Sequence, residues 1–280
     1  MSDDNISLKN NNAPAENSVL RNFRMELSFD GSSFHGWQIQ PNGISVQELV
    51  QGKLSKLFGN YPIKLHGSSR TDAGVHALGF AASFKAPESP YIPDWKIKRA
   101  LNKLLPRDVR ILDVNYADED FHARFSALAK AYTYVINTGD ENPFSAKWSW
   151  HLPKCGNIEN IKQAASFLTG THDFSAFTVS RSEIDDPVRT IYRIETKFFE
   201  NFLCITFLGD GFLYKMIRSI MGSLVKTGMD TASPESLKEL LASKNRSLGA
   251  PTAPPHGLFL VKVFYEENWD DFHIDKPPFQ

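Results

Sequence analysis

The chain has 280 residues, 41% hydrophobic and 22% charged, with a formal net charge of −1 and a pI near 6.7. That balance belongs to a globular protein with room for one large core or two ordinary ones, and it excludes disordered and fibrous chains. Neutral overall charge decides nothing about nucleic acid, because a phosphate backbone responds to where cations sit and not to their sum.

Residues 1–20 are polar with no apolar stretch, so they read as a disordered lead-in and not as a secretory signal. Phe23, Met25, Leu27 and Phe29 alternate with polar neighbours, which predicts a half-buried strand over 23–29. Ser45 and Glu48 form a capping box ahead of Val46, Leu49, Val50, Leu54, Leu57 and Phe58 at helical spacing, and Gly59-Asn60 stops that helix. A short strand at 63–65, a loop at 67–77 and a strand at 79–84 follow. The next helix turns Trp95, Ala100, Leu101, Leu104 and Leu105 inward, and 109–116 is a strand. This β-α-β-β-α-β order is the split, ferredoxin-like (RRM-like) pattern.

The second half reads the same way. Tyr132, Tyr134 and Ile136 alternate along a strand, and Ile158, Ile161, Ala165 and Leu168 mark a helix that ends at Gly170. Two strands flank a turn at Glu200-Asn201, one with Tyr192, Ile194, Thr196 and Phe198, the other with Leu203, Ile205 and Phe207. A helix with Met216, Ile217, Ile220, Leu224 and Val225 precedes an extra one started by Ser233-Pro234, and 258–265 is the last strand. The fold class is therefore α+β, with two ferredoxin-like halves of mainly antiparallel sheet at 21–118 and 119–267, a groove between them, and a tail at 268–280.

No apolar run approaches a bilayer span, so no membrane segment is expected. Cys155 and Cys204 are too few for a disulfide framework and lack metal-ligand spacing, which fits a reducing cytoplasm. Basic residues gather at Lys96, Lys98, Arg99, Lys103, Arg107 and Arg110, and again at Arg124 and Lys130. A solvated helix face explains such a cluster more often than RNA does.

The most unusual segment is the loop, Gly67-Ser68-Ser69-Arg70-Thr71-Asp72-Ala73-Gly74-Val75-His76-Ala77. A hairpin needs only two to five residues, so a loop of this length suggests work. Residue types alone favour a plain Asx-type turn with Asp72 on the backbone and Arg70 on the surface. The order of residues changes that balance. Arg70-Thr71-Asp72-Ala73-Gly74-Val75-His76 resembles the signature of the tRNA pseudouridine synthase A (TruA) family, whose Arg-Thr-Asp-x-Gly-Val-His loop carries a single catalytic aspartate. Gly36-Trp37-Gln38-x-Gln40, Phe121-His122-Ala123-Arg124-Phe125-Ser126-Ala127, the Phe212 to Gly222 segment and Ala253-Pro254-Pro255-His256-Gly257-Leu258 resemble further family segments, in order. Ser69 stands where many members have glycine.

The resemblance implies the pseudouridine synthase fold, tRNA as substrate at uridines 38–40 of the anticodon stem-loop, a homodimer, and no cofactor or metal. It gives Asp72 the role of catalytic carboxylate, Arg218 that of its cationic partner, and Tyr132 that of a ring against the base whose hydroxyl aids loss of the C5 proton. Leu258 would contact the base. Arg70 has two readings, a loop anchor or the residue that fills the space left by an extruded base; the resemblance implies the second. With RNA as substrate, Lys96, Lys98, Arg99 and Arg124 become the candidate phosphate contacts. Val75 and His76 read as packing for the loop. A non-catalytic RNA-binding module would want a base-stacking RRM strand motif, and a hydrolase a second patterned carboxylate or metal ligand; the sequence has neither.

Overall fold

The computed structural model describes residues 19–89, 91–179 and 186–280, so residues 1–18 of the expected lead-in lie outside it. The first stretch contains β1 (Leu20–Phe29), α1 (Val46–Leu57), β2 (Leu65–Gly67), β3 (His76–Pro87), α2 (Asp94–Leu104) and β4 (Val109–Tyr116), the order expected. Alternate burial along β1 follows its apolar spacing. Ser45 Oγ accepts the Glu48 N–H at 3.2 Å and caps α1, and the left-handed Gly59 and Asn60 end it.

After these come β5 (Ala129–Asn137), β6 (Trp150–His151), α3 (Ile158–Ser166), β7 (Gly170–Asp173), β8 (Val188–Phe199), β9 (Phe202–Gly209), α4 (Met216–Gly228), α5 (Glu235–Ser243) and β10 (Leu258–Phe264). Three expectations need correction. Gly170 does not close a helix but opens β7, and β6 is a further strand without a sequence signal. The loop is shorter than expected, because His76 and Ala77 already pair in β3 and leave 68–75 free. On α2, Trp95 and Leu104 are 56% and 47% exposed, whereas Ile97, Leu101 and Leu105 are buried. The buried residues recur every four positions, one stripe of the helix, and Trp95 faces away with Lys96 over its ring.

Among the described residues the strands form one ten-stranded, largely antiparallel sheet, in the order β4-β1-β3-β10-β5-β9-β8-β7 with β2 on β3 and β6 on β5. The neighbours β4-β1-β3-β2 recur as β10-β5-β9-β8, the same order at each end of the sheet. Where these runs meet, β10 pairs parallel with β3, Phe259 opposite His76 and Leu260 opposite Ala77. That seam begins at the residue following the loop.

The main core lies on the helix side, where Tyr132, Tyr134 and Ile136 of β5 meet Ile217, Ile220 and Leu224 of α4. The odd positions Ala129, Ala131 and Val135 face the other way and belong to two smaller clusters under the tail. Trp269 stacks on Tyr192 at 5.5 Å, Phe279 on Trp148 at 6.0 Å, and Ile274 is buried. Arg193 and Lys197 donate to the tail carbonyls of Asp270 and Ile274. The tail is thus a strap across the back of the sheet, a structural role that its sequence did not disclose.

α4 lies so close to residues 251–253 that a Cβ on Gly222 would stand 1.9 Å from the Pro251 carbonyl oxygen. Helix propensity alone favours Gly222→Ala by about 1 kcal/mol, but a backbone atom cannot yield as a side chain can. Gly222→Ala is expected to lower stability by a net ~1–3 kcal/mol. Urea unfolding should show a lower midpoint with an unchanged slope.

Candidate active site

The loop 68–75 is held from behind by backbone. Ser68 N–H donates to the Ala81 carbonyl at 2.8 Å, Trp37 N–H to the Thr71 carbonyl at 3.2 Å, and Gly74 N–H to the Phe34 carbonyl at 3.4 Å. Val75 N–H donates to the Asp72 carbonyl at 3.1 Å and closes a turn around Gly74, whose φ of +78° suits glycine. Gly36, at φ +81°, admits the Thr71 carbonyl at a point where a Cβ would sit 2.3 Å away. Trp37 in turn stacks on Phe80, ring centroids 4.0 Å apart. The Gly36-Trp37 segment is therefore the clamp behind the catalytic candidate.

His76 anchors the loop's far end. It is 2% exposed, stacks on Phe259 at 4.7 Å, and its Nδ1 accepts the Gly31 N–H at 3.0 Å. Asp30 Oδ1 lies equally near Nδ1, and Nε2 lies 3.2 Å from the His256 carbonyl, so both ring nitrogens are engaged. As expected, His76 packs the loop.

Asp72 Oδ2 meets Arg218 Nη1 at 2.5 Å, the two side chains only 13% and 12% exposed. Arg218 comes from the first turn of α4, which starts after Lys215 takes a left-handed conformation (φ +58°). Its Nε donates to the Ala253 carbonyl at 2.8 Å while Ala253 N–H donates to the Arg218 carbonyl at 3.0 Å, a reciprocal clasp. Tyr134 hydroxyl donates to the next carbonyl, that of Pro254, at 2.8 Å. Burial raises the Tyr134 hydroxyl above its ordinary range, with Arg218 opposing.

Asp72 and Arg218 line a groove of about 1300 Å³ that also holds Arg70, Tyr132 and Leu258. Tyr132 is 6% exposed and meets Phe212 edge-on at 5.3 Å. Burial pushes its hydroxyl up to about 12, Asp72 adds to the rise, and Ser69 beside it works the other way. Leu258 is buried at the head of β10, and Arg70 is exposed. The structure thus brings Asp72, Arg218, Tyr132, Arg70 and Leu258 to one place.

The expected phosphate contacts divide. Arg124 lines the groove, whereas Lys96, Lys98 and Arg99 belong to α2 and none of them lines it. The groove's other cations are Lys130, Arg189 and Lys215. Lys130 had a signal, its two-residue spacing from Tyr132 on one strand face; Arg189 and Lys215 had none. Phe125 and Tyr214 on the wall are 78% and 47% exposed, each beside a cation, Arg124 and Lys215. Among the described residues Ser68 Oγ and Thr71 Oγ1 are buried without hydrogen-bond partners. Among the described residues no three His, Cys, Asp or Glu side chains gather as a metal group, and no helix is long and apolar enough to cross a membrane.

Against this geometry, similarity to known proteins is extensive. A family model described as tRNA pseudouridine synthase matches residues 27–126 and 164–266. The tRNA pseudouridine synthase A of Thermoanaerobacter sp. (strain X514) is 40% identical over 247 residues, 88% of this chain and 100% of that protein. A tRNA pseudouridine synthase A 1 of Protochlamydia amoebophila (strain UWE25) is 40% identical over 87% of this chain and 96% of its own length. A crystal structure of a Cbf5-Nop10-Gar1 complex aligns over 85% of this chain and 58% of that one at 13% identity and a TM-score of 0.33, too weak a likeness to place any residue. Both matched segments take in site residues, Asp72 in the first and Arg218 and Leu258 in the second, and the chain belongs to the tRNA pseudouridine synthase family.

Proposed function

We propose that the protein isomerises uridine to pseudouridine in the anticodon stem-loop of tRNA, at positions 38–40, with Asp72 as the catalytic carboxylate. The observation that carries this reading is the Asp72–Arg218 pair, shielded from water in the groove that holds the Tyr132 ring. In the reaction the N1–C1′ bond breaks, the base turns, a C5–C1′ bond forms, and the C5 proton is lost as N1 gains one. It is redox-neutral and adds no water. A carboxylate facing the sugar serves it either as nucleophile at the sugar or as base for a sugar proton, and both uses need the charged form. Arg218 places a cation against that charge, and its second bond to Ala253 keeps the guanidinium from following the substrate.

Tyr132 stays neutral at working pH, since burial pushes its hydroxyl up to about 12. Its ring is a surface for the base, and its neutral hydroxyl helps remove the C5 proton as a relay, taking that proton while passing its own to a neighbouring acceptor. Extruding a stacked uridine costs a few kcal/mol, and the exposed Arg70 at the groove is suited to fill the gap. Leu258 closes the apolar side of the base site. Two buried free thiols suit a cytoplasmic enzyme, and the active assembly in this reading is a homodimer sharing one tRNA.

Asp72→Asn keeps shape and removes charge, so turnover should fall at least about a thousandfold while tRNA affinity holds. Chromatography of digested tRNA checks this, and pseudouridine formed within tenfold of the wild-type rate would overturn the assignment. The same digest separates a synthase from a hydrolase, which would release free uracil.

Arg218→Ala leaves a shielded carboxylate without its partner and should cost ~3–5 kcal/mol of stability as well as activity. Arg218→Lys keeps the charge but cannot hold Asp72 and Ala253 together, so stability should recover more than turnover does. Equal recovery of both would make the arginine a point charge only.

Tyr132→Phe keeps the ring, so tRNA affinity should survive, while release of tritium from C5 slows by about a hundred- to ten-thousandfold. Tyr132→Ala should lose ~1–3 kcal/mol of stacking as well. Wild-type tritium release by Tyr132→Phe would leave the residue as a platform alone.

A further inference from the structure

Lys130 is the least accounted-for charge in the groove. It sits one residue ahead of Ala131 at the start of β5, and its side chain faces the same way as Tyr132, two positions on. The neighbouring positions Ala129 and Ala131 face the opposite side, under the tail. Most of the Lys130 side chain is enclosed, and its ammonium has no hydrogen-bond or ion-pair partner among the described residues. An ammonium in that position is costly unless something anionic joins it.

The surroundings increase the cost instead of relieving it. Arg124, from the segment before β5, and Arg189, on β8, both repel Lys130, and Asp210, just after β9, is the opposing charge. Asp210 is already engaged, since its Oδ1 accepts the Thr190 N–H at 3.0 Å. Of the other charged groups on this wall, Asp186 accepts the Val188 N–H at 2.9 Å, and Lys215 is a further cation. Burial first, then Arg124 and Arg189, bring Lys130 down to about 8 from the ordinary 10.5. Three cations therefore converge where the carboxylates among the described residues, Asp210 and Asp186, each already accept a backbone N–H.

We propose that Lys130, flanked by Arg124 and Arg189, binds the phosphodiester next to the extruded uridine. The inference rests on the RNA-modifying reading of the groove and adds to it a defined backbone contact. Two residues along a strand span roughly 7 Å, about the distance from a nucleotide's base to its phosphate. A base on Tyr132 thus brings its backbone over Lys130, and β5 holds both ends of one nucleotide on a single rigid element. A phosphate would also relieve the repulsion among the three cations, which an uncharged ligand could not.

The test uses the full chain and anticodon stem-loop RNAs, each with one uncharged methylphosphonate linkage near the target uridine. Affinity and pseudouridine formation are measured for wild type, Lys130→Gln and Lys130→Arg. Lys130→Gln should weaken binding of the natural RNA by about ten- to a hundredfold, the effect of one charge-assisted contact. One methylphosphonate beside the target uridine should weaken wild-type binding by a similar factor and leave Lys130→Gln unaffected. Wild-type affinity should also fall as pH rises through about 8, because the free ammonium loses its charge there. Lys130→Arg, charged throughout, should bind well and lose that fall. Lys130→Gln should melt at or above the wild-type temperature, since it removes a repelled and enclosed charge. If Lys130→Gln and the methylphosphonate add at every linkage, Lys130 touches no single phosphate and the proposal is overturned. A lower melting temperature with equal loss for all RNAs would make the lysine structural and overturn it too. Absence of pseudouridine from the wild-type reaction would instead strike the functional reading, while the phosphate contact stands or falls on the binding cycle.

Discussion

The ion pair between Asp72 and Arg218 joins side chains 146 residues apart, and most of the site's architecture serves to keep it in place. On one side the loop is held by Trp37 and Gly36 against the Thr71 carbonyl. On the other, the clasp between Arg218 and Ala253 ties α4 to the segment that becomes β10. The parallel pairing of β3 with β10 lies directly behind both. A shielded charge pair is stabilising only if its geometry is good and its spare donors are used. Here the guanidinium has both a carboxylate and a carbonyl, so its position is set from two directions before any substrate arrives.

Charge is distributed with the same economy. A chain of net charge −1 has no global attraction for a polyanion, yet the groove gathers Arg124, Lys130, Arg189 and Lys215 around Asp72 and two engaged acids, Asp186 and Asp210. A concave surface in which one sign predominates focuses its field inward. The exposed rings of Phe125 and Tyr214, each with a cation beside it, give that field flat surfaces on which bases can stack.

What could be read from the sequence follows from how local its causes are. The alternation in β1, the Ser45 cap and the Glu200-Asn201 turn are short-range effects, and all appear where expected. Trp95 and Leu104 were assigned inward because they are apolar, but only the stripe through Ile97 and Leu101 faces the sheet. β6 and β7 are too short to show a period and exist because a neighbouring strand offers an edge. The site divides in the same way. Periodicity placed Tyr132 on a strand and Arg218 on a helix, but nothing local says that they meet Asp72; that came from the order of residues in the loop and its resemblance to a family. Charge density pointed to Lys96, Lys98 and Arg99, which lie outside the groove, and to Arg124 and Lys130, which line it, whereas Arg189 and Lys215 come from scattered positions. A cluster in sequence records a helix face, and a cluster in space records a fold.

β10 is the last strand of the described chain to be made, yet it occupies a central position, between β3 and β5. On the ribosome, at about 5–20 residues per second, roughly 7–30 s separate synthesis of Asp72 from that of Arg218, and β10 emerges later still. Until β10 follows, the stretches of β3 and β5 that it pairs with have no neighbour on that side, the kind of edge that pairs indiscriminately. The final strand covers both stretches and brings Leu258 to the groove. Chains terminated before residue 258 therefore lack the seam altogether.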